Sequence, residues 1–291
     1  MATKFYTKQF AGLLPDIYSV ENHFARTFGG TLQVVDGVSD SDNFISVKTS
    51  DSDVVIQEYD TGANVAFGTG TGNSSRFGPR RETKSVDKQI PYEAPLSIHE
   101  GVDNVTVNDV PAQVIAERLE EQGKAWTEHL NGVLAKKLSD NASETLDGEL
   151  TKEGVSQVFA EARELFVNNK VSRTLNKVAY VNAKVYNLLL EHNLTTTAKN
   201  SATNIDSGEV RRFKGFELVE IADEYFEGDE NIYFIVDNVG QLGVGIQMTR
   251  TIDAEDFYGV AIQSLAKYGV YLPEKNYNAV LKATLTEVAE G

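Results

Sequence analysis

The run VPAQVIAERLEEQGKAWTEHLNGVLAKKLSDNA, starting at Val110, places apolar side chains at Ile115, Leu119, Trp126, Leu130, Val133, Leu134 and Leu138. That spacing follows the 3.6-residue period of a helix with one buried face. Glu117, Glu121, Lys124 and Glu128 take the opposite face, and Glu120 to Lys124 is an i,i+4 pair worth a few tenths of a kcal/mol. Asp109 is the expected N-cap, and Pro111 falls in the first turn, where a missing N–H costs little. At 1.5 Å per residue, a helix of about 30 residues is roughly 45 Å long, more than most compact domains need. Gly123 and Gly132 each cost about 1 kcal/mol relative to alanine and mark expected bends.

Strand and helix signals surround this helix. Residues 44–67 alternate well enough for strands, with Val54, Ile56 and Tyr59 between acidic residues. A second amphipathic helix carries Val155, Val158, Phe159, Ala162, Leu165 and Phe166 on one stripe. KVAYVN, residues 177–182, reads as a buried strand, followed by a short helix through Leu188 to Leu190. Strands return in FKGFELVEI, NIYFIVD, GVGIQMTRTI, YGVAIQSLAKYGVYL and AVLKATL. The class is α+β, with helices in the middle and strands on both sides. Residues 1–35 are aromatic-rich and irregular. Phe10, Leu13, Leu14, Ile17 and Tyr18 have no apolar partner nearby, which implies docking on another part of the fold or on another chain.

Several function classes are excluded. The 291 residues include no cysteine, so there is no disulfide, thiol nucleophile or cysteine zinc site. The longest aliphatic cluster, VYNLLL, is too short to span a bilayer, and no apolar run near the N-terminus reads as a signal peptide. A net charge of −16 opposes general nucleic-acid binding, which draws most of its affinity from phosphate neutralisation. The stretch GTGTGNSSRFGPRRETKSVDKQIPYEAP has glycines at 68, 70 and 72, so it does not fit G-x-G-x-x-G, and it lacks the P-loop pattern. His23, His99, His129 and His192 form no metal-spaced motif, there is no G-x-S-x-G elbow, and no carboxylate pair stands out. No catalytic group, cofactor or metal site is expected.

The same glycine-rich stretch turns basic at Arg76, Arg80, Arg81, Lys84 and Lys88. It ascends from a segment holding Asp51, Asp53, Glu58 and Asp60. A long two-stranded finger is marginal in water unless something covers it. A basic tip that meets acids on a neighbouring copy makes a head-to-tail contact, and such contacts form rings or lattices.

The order of elements resembles the major capsid proteins of tailed bacteriophages, with the Hong Kong 97-type fold. The resemblance covers nearly the whole chain. Its most specific parts are AYVNAKVYNLLLEHN, similar to the family's strand and short helix; GEVRRFKGFELVEIAD, with a glycine-aromatic pair before a strand; and VGIQMTRTIDAEDFYGVAIQSLAKYGVYLPE, similar to its long antiparallel pair. The resemblance implies an N-terminal arm (1–44), an extended loop (45–105), a spine helix of the peripheral domain (106–145), and an axial domain (146–242). Strands rejoining the peripheral domain (243–273) and a C-terminal strand of the axial domain (274–291) follow. It implies a non-enzymatic siphophage-type virion protein that assembles in the host bacterial cytoplasm. Its partners would be copies of itself in hexamers and pentamers, a separate scaffolding protein and a portal protein, enclosing double-stranded DNA without sequence-specific binding and without a membrane. The loop-tip residues Arg76, Arg80, Arg81, Lys84 and Lys88 would then be inter-subunit contacts. The alternatives are an encapsulin-like nanocompartment shell and a carbohydrate-active or surface-binding protein. Replacing Arg80 and Arg81 by glutamate is expected to leave the subunit folded but impair particle formation; a normal particle yield in electron micrographs counts against the loop role.

Overall fold

The apolar stripe that starts near Ile115 is realised as one unbroken helix, α1 (Pro111–Asp140). The computed structural model describes residues 22–29, 33–34, 43–50, 54–63, 65–66, 75–80, 82, 85–106, 111–192, 203–204 and 209–287. The expected N-cap Asp109 lies outside them, as do Arg81, Lys84 and the N-terminal apolar candidates Phe10, Leu13, Leu14, Ile17 and Tyr18. No helix among the described residues is long and apolar enough to cross a membrane.

The chain divides into two units, Ser41–Pro91 and the remainder, Met1–Asp40 with Tyr92–Gly291. Strands β1 (Gln33–Val34), β2 (Asn43–Ser50), β3 (Ser85–Pro91) and β4 (Leu96–Asp103) precede α1. After it come β5 (Glu144–Glu149), helix α2 (Lys152–Asn168), β6 (Lys177–Val181) and helix α3 (Ala183–Leu190). The rest are β7 (Thr203–Asn204), β8 (Glu209–Val210), β9 (Arg212–Phe213), β10 (Phe216–Glu220), β11 (Glu230–Val236), β12 (Gln241–Asp253), β13 (Gly259–Tyr271) and β14 (Val280–Thr286). One sheet has the order β1-β12-β13-β4, and a second has the order β5-β14-β11-β6-β10-β9. Hairpin β2-β3 forms the smaller unit's ribbon, and β7-β8 is a short separate one.

Two sequence expectations differ from this arrangement. Val54 to Asp60 form no strand, and among the described residues no strand of a sheet lies beside them. Leu96–Asp103, placed by sequence in the extended loop, is instead paired along its length with β13, from Leu96 opposite Ala266 to Asp103 opposite Gly259.

Local chemistry explains the boundaries. Thr151 caps α2 by accepting a hydrogen bond from the Gly154 amide at 3.0 Å, and Asn182 caps α3 through the Val185 amide at 3.0 Å. Gly154 is required there, since a Cβ would lie 2.3 Å from the Glu149 carbonyl oxygen. Lys214 and Gly215 both take positive φ, 46° and 94°, which suits the tight turn joining β9 to β10.

The six-stranded sheet is covered on both faces, and the alternation of its strands sorts the residues. Val178, Tyr180, Tyr233, Ile235 and Val280 face one core with Trp126, Leu130, Leu134 and Leu138 of α1. Ala179, Val181, Ile232, Phe234, Leu281 and Ala283 face another with Val155, Phe159 and Phe166 of α2. Phe159 meets Phe213, Phe216 and Phe234 edge-on, with centroids 5.2, 5.7 and 4.9 Å away. The N-terminal half of α1 packs on the other sheet, where Leu119 joins Val102 and Ile262. Between those two apolar stretches sits buried Gln122, which donates to Glu100 Oε2 at 2.8 Å and accepts from Ser264 Oγ at 2.5 Å. Arg118 pairs with the same Glu100.

The first core also receives Asn22–Gly29, with Phe24 and Phe28 buried. Arg26 fastens this segment, reaching Glu217 Oε1 and Asp237 Oδ1, each at 2.8 Å. The root of the N-terminal region therefore docks on its own chain.

The helix runs on through Gly132, and a Cβ there would meet nothing within 4 Å. Gly132→Ala is expected to raise stability by about 0.5–1 kcal/mol, read as a higher urea midpoint.

Three carboxylates make the fold acid-sensitive. Arg118 holds Glu100 below its ordinary 4.5, and Arg26 does the same for Glu217. Burial pushes Glu230 up, but Lys282, Tyr233 and Ser139 outweigh it and leave it below 4.5. Groups depressed on folding stabilise the native state above the unfolded value and lose that contribution as pH falls through the folded ones. Stability is expected to drop below about pH 4.5, and Glu230→Gln should flatten part of that acid limb in a denaturation series against pH.

Candidate inter-subunit surface

Hairpin β2-β3 is a regular antiparallel ladder from Asn43 opposite Pro91 to Ser50 opposite Ser85, with one irregularity between Asn43 and Ile45. Beyond it the described chain holds itself by polar contacts rather than a core. The Asp60 amide donates to the Arg76 carbonyl at 2.9 Å, and the Gly62 amide donates to Asp60 Oδ1 at 2.8 Å. Arg76 Nε donates to the Val65 carbonyl at 3.1 Å, and Gln57 Nε2 to that of Pro79 at 3.3 Å. Gly78 has a φ of 75°, in the left-handed region that favours glycine.

Among the described side chains of this unit, not one is buried. Val54 and Ile56 are each 96% exposed and Phe77 is 76% exposed. Tyr59 packs edge-on against Phe77 with centroids 5.0 Å apart, yet it too is more than half exposed. Exposed apolar side chains in this number, with none buried among those described, make this segment a candidate interaction surface.

The basic residues expected to form the grip are dispersed. Arg76 is half-buried and bends back to the Val65 carbonyl, so it shapes the tip. Arg80 is exposed. Lys88 is exposed on β3, opposite Val47 in the ladder and away from the tip. Arg81 and Lys84 lie outside the described residues, as do the acidic candidates Asp51 and Asp53. The apolar set Val54, Ile56 and Phe77 was missed as a surface because its alternation reads as a strand. Its signal is that no second apolar segment nearby could pair with it.

Elsewhere the histidines have structural roles. His129 is 2.9 Å from the Tyr268 hydroxyl, and His192 packs on Phe213 with centroids 5.3 Å apart. Among the described residues no group of three or more His, Asp or Glu could hold a metal ion. A shallow groove of about 320 Å³ on the four-stranded sheet is lined by Ser97, His99, Met248, Arg250, Gln263 and Leu265 among others, without a cluster of catalytic character.

No family model matches the chain, and no curated protein matches it in sequence. Its structure is similar to that of Mycobacterium phage Che8, with 16% identity over 97% of this chain and 93% of that one, at a TM-score of 0.62. It is also similar to the mature capsid of bacteriophage PhiM1, with 14% identity, 91% and 87% coverage and a TM-score of 0.64. A virus-like particle from Pyrococcus furiosus matches with 12% identity, 96% and 99% coverage and a TM-score of 0.52. At these identities the likeness is one of fold: the α+β, Hong Kong 97-type architecture of capsid shells.

Proposed function

We propose that this chain, which has the Hong Kong 97-type fold, is the major capsid protein of a tailed bacteriophage, located in the virion. Copies would gather into hexamers and pentamers of an icosahedral shell around double-stranded DNA, with scaffolding and portal proteins as partners. The observation that carries this reading is the smaller unit, Ser41–Pro91, in which no described side chain is buried. A folded segment that exposes Val54, Ile56, Tyr59 and Phe77 gains its stabilisation from a surface outside itself. A shell made of many copies of one chain supplies such a surface at every position. Contacts that are modest singly close a stable particle because each subunit is held by several at once. The extended-loop residues Arg76, Arg80, Arg81, Lys84 and Lys88 are proposed to border that contact, with Arg76 holding the tip in shape.

A second reading is an encapsulin-like shell that encloses proteins instead of a genome. The likeness to the Pyrococcus furiosus virus-like particle favours it. The contents of purified particles separate the two, since packaged DNA belongs to one and cargo protein to the other.

Expression with and without a scaffolding protein, followed by negative-stain microscopy, tests the shell itself. The double substitution Ile56→Asp with Phe77→Asp is expected to abolish closed particles while leaving the far-ultraviolet circular dichroism and the main thermal transition unchanged. Particles of wild-type number and shape from this variant would remove the proposed role of the smaller unit.

A further inference from the structure

The six-stranded sheet is electrically lopsided. Arg163, Lys170, Arg173 and Lys177 gather at one end, where α2 stops and β6 starts. Lys177 opens β6 opposite Val236, and its Nζ lies over the Phe166 ring, 5.4 Å from the centroid, which ties the last turns of α2 to this end. Among the described residues none of the four forms an ion pair. The two acids at this end, Glu217 of β10 and Asp237 just after β11, are both held by Arg26. Burial lowers the pKa of Lys177, and repulsion from Arg163 and Arg173 lowers it further, as expected of cations left uncompensated. Val167 and Leu175, each 48% exposed, lie on the same stretch of chain.

The opposite end is acidic. Strand β10 runs parallel to β6 and ends with Glu220 opposite Val181. The connection that follows presents Asp223, Glu224, Glu227 and Asp229, all exposed. The lysines near this end are already engaged, Lys184 with Glu287 at 2.7 Å and Lys152 with Glu191 at 2.9 Å. The length of β6, roughly 13 Å at 3.3 Å per residue, separates the two ends, so one copy cannot pair them within itself.

We propose that the cationic end of this sheet is a docking surface for the acidic Asp223–Asp229 segment of a second copy of the same chain. Subunits of net charge −16 repel one another, and a contact between unlike ends is the arrangement that lets them approach. Burial of Val167 and Leu175 adds an apolar centre to the contact. Because the two surfaces differ, the contact is head-to-tail, and it closes into a ring when the rotation between copies divides a full turn. That copies meet at all rests on the shell-forming reading; which ends meet does not.

The test uses the whole chain in sedimentation velocity at low and high salt. Wild type is expected to self-associate at low salt and dissociate as salt rises. Arg163→Glu with Arg173→Glu should weaken that association about tenfold or more, with an unchanged circular dichroism spectrum and thermal midpoint. Glu224→Lys with Glu227→Lys should weaken it likewise, and mixing the two variants should restore association as a heterologous complex. Wild-type self-association by either variant, no recovery on mixing, or a monomeric wild type at both salts would each overturn the proposal. So would loss of double-stranded DNA binding in the Arg163/Arg173 variant with self-association intact, which would assign the cationic end to nucleic acid. Micrographs of the same samples report separately on the shell. Normal particles from the Arg163/Arg173 variant would sink this docking and leave the shell reading standing, whereas salt-reversible association with no closed particle under any condition would do the reverse.

Discussion

A single helix bearing on two sheets is the constraint from which the larger unit follows. The first half of α1 contributes Leu119 to the core under the four-stranded sheet, and the second half contributes Trp126, Leu130, Leu134 and Leu138 to the core under the six-stranded one. Neither sheet could hide its inner face without its half of the helix. A break at Gly123 or Gly132 would therefore separate two cores as well as shorten a helix. The helix continues through both glycines because tertiary burial along its length outweighs their propensity cost of about 1 kcal/mol each. Gln122 lies where the two apolar stretches meet, and its bonds to Glu100 and Ser264 fix the helix against β4 and β13 in one register. Buried polar groups of this kind leave unpaired partners in any shifted packing, so they select one arrangement over its neighbours.

The elements most legible in the sequence are those whose pattern is set by one burial direction. The stripe of α1, the stripe of α2 and the near-continuous apolar run of β6 each name their own faces, and the structure buries Val178 to Val181 completely. Strand β5 left little trace because it sits at a sheet edge, with only Leu146 buried among polar residues. Val54 and Ile56 misled for the opposite reason: they alternate like a strand, but alternation identifies a strand only when a partner strand exists. The basic tip shows a further limit. A count of charges at positions 76–88 gives the sign of the region, while the direction of each side chain depends on turns such as the one at Gly78. Arg76 consequently points to a backbone carbonyl of its own loop.

Charge placement on the larger unit is legible in the sequence as two runs of opposite sign, and topology decides where they lie. Arg163 stands between Glu161 and Glu164, but residues 165–190 hold Lys170, Arg173, Lys177 and Lys184 with no Asp or Glu, and residues 223–230 hold Asp223, Glu224, Glu227, Asp229 and Glu230 with no Lys or Arg. The return of β6 beneath the end of α2 brings Lys177 and Arg173 to Arg163, and the parallel course of β10 sends Asp223 to Asp229 to the far end. The fold sets at opposite ends of one sheet two runs that the sequence already segregates by sign.

Two candidate contact surfaces among the described residues differ in kind, and the difference bears on how copies would assemble. The exposed apolar set around Ile56 offers a contact that salt does not weaken. The polarised sheet offers one that is long-ranged at low salt and falls off within roughly 8 Å at physiological ionic strength. Electrostatic contacts of the second kind set the approach and orientation of subunits more than their final affinity, whereas apolar burial governs how slowly they part. On the proposed reading the sheet ends align copies within a ring, and the apolar loop then holds them once aligned. Strong apolar contact before alignment would trap misplaced subunits. A net charge of −16 opposes that outcome, because unoriented copies repel until unlike ends are brought together.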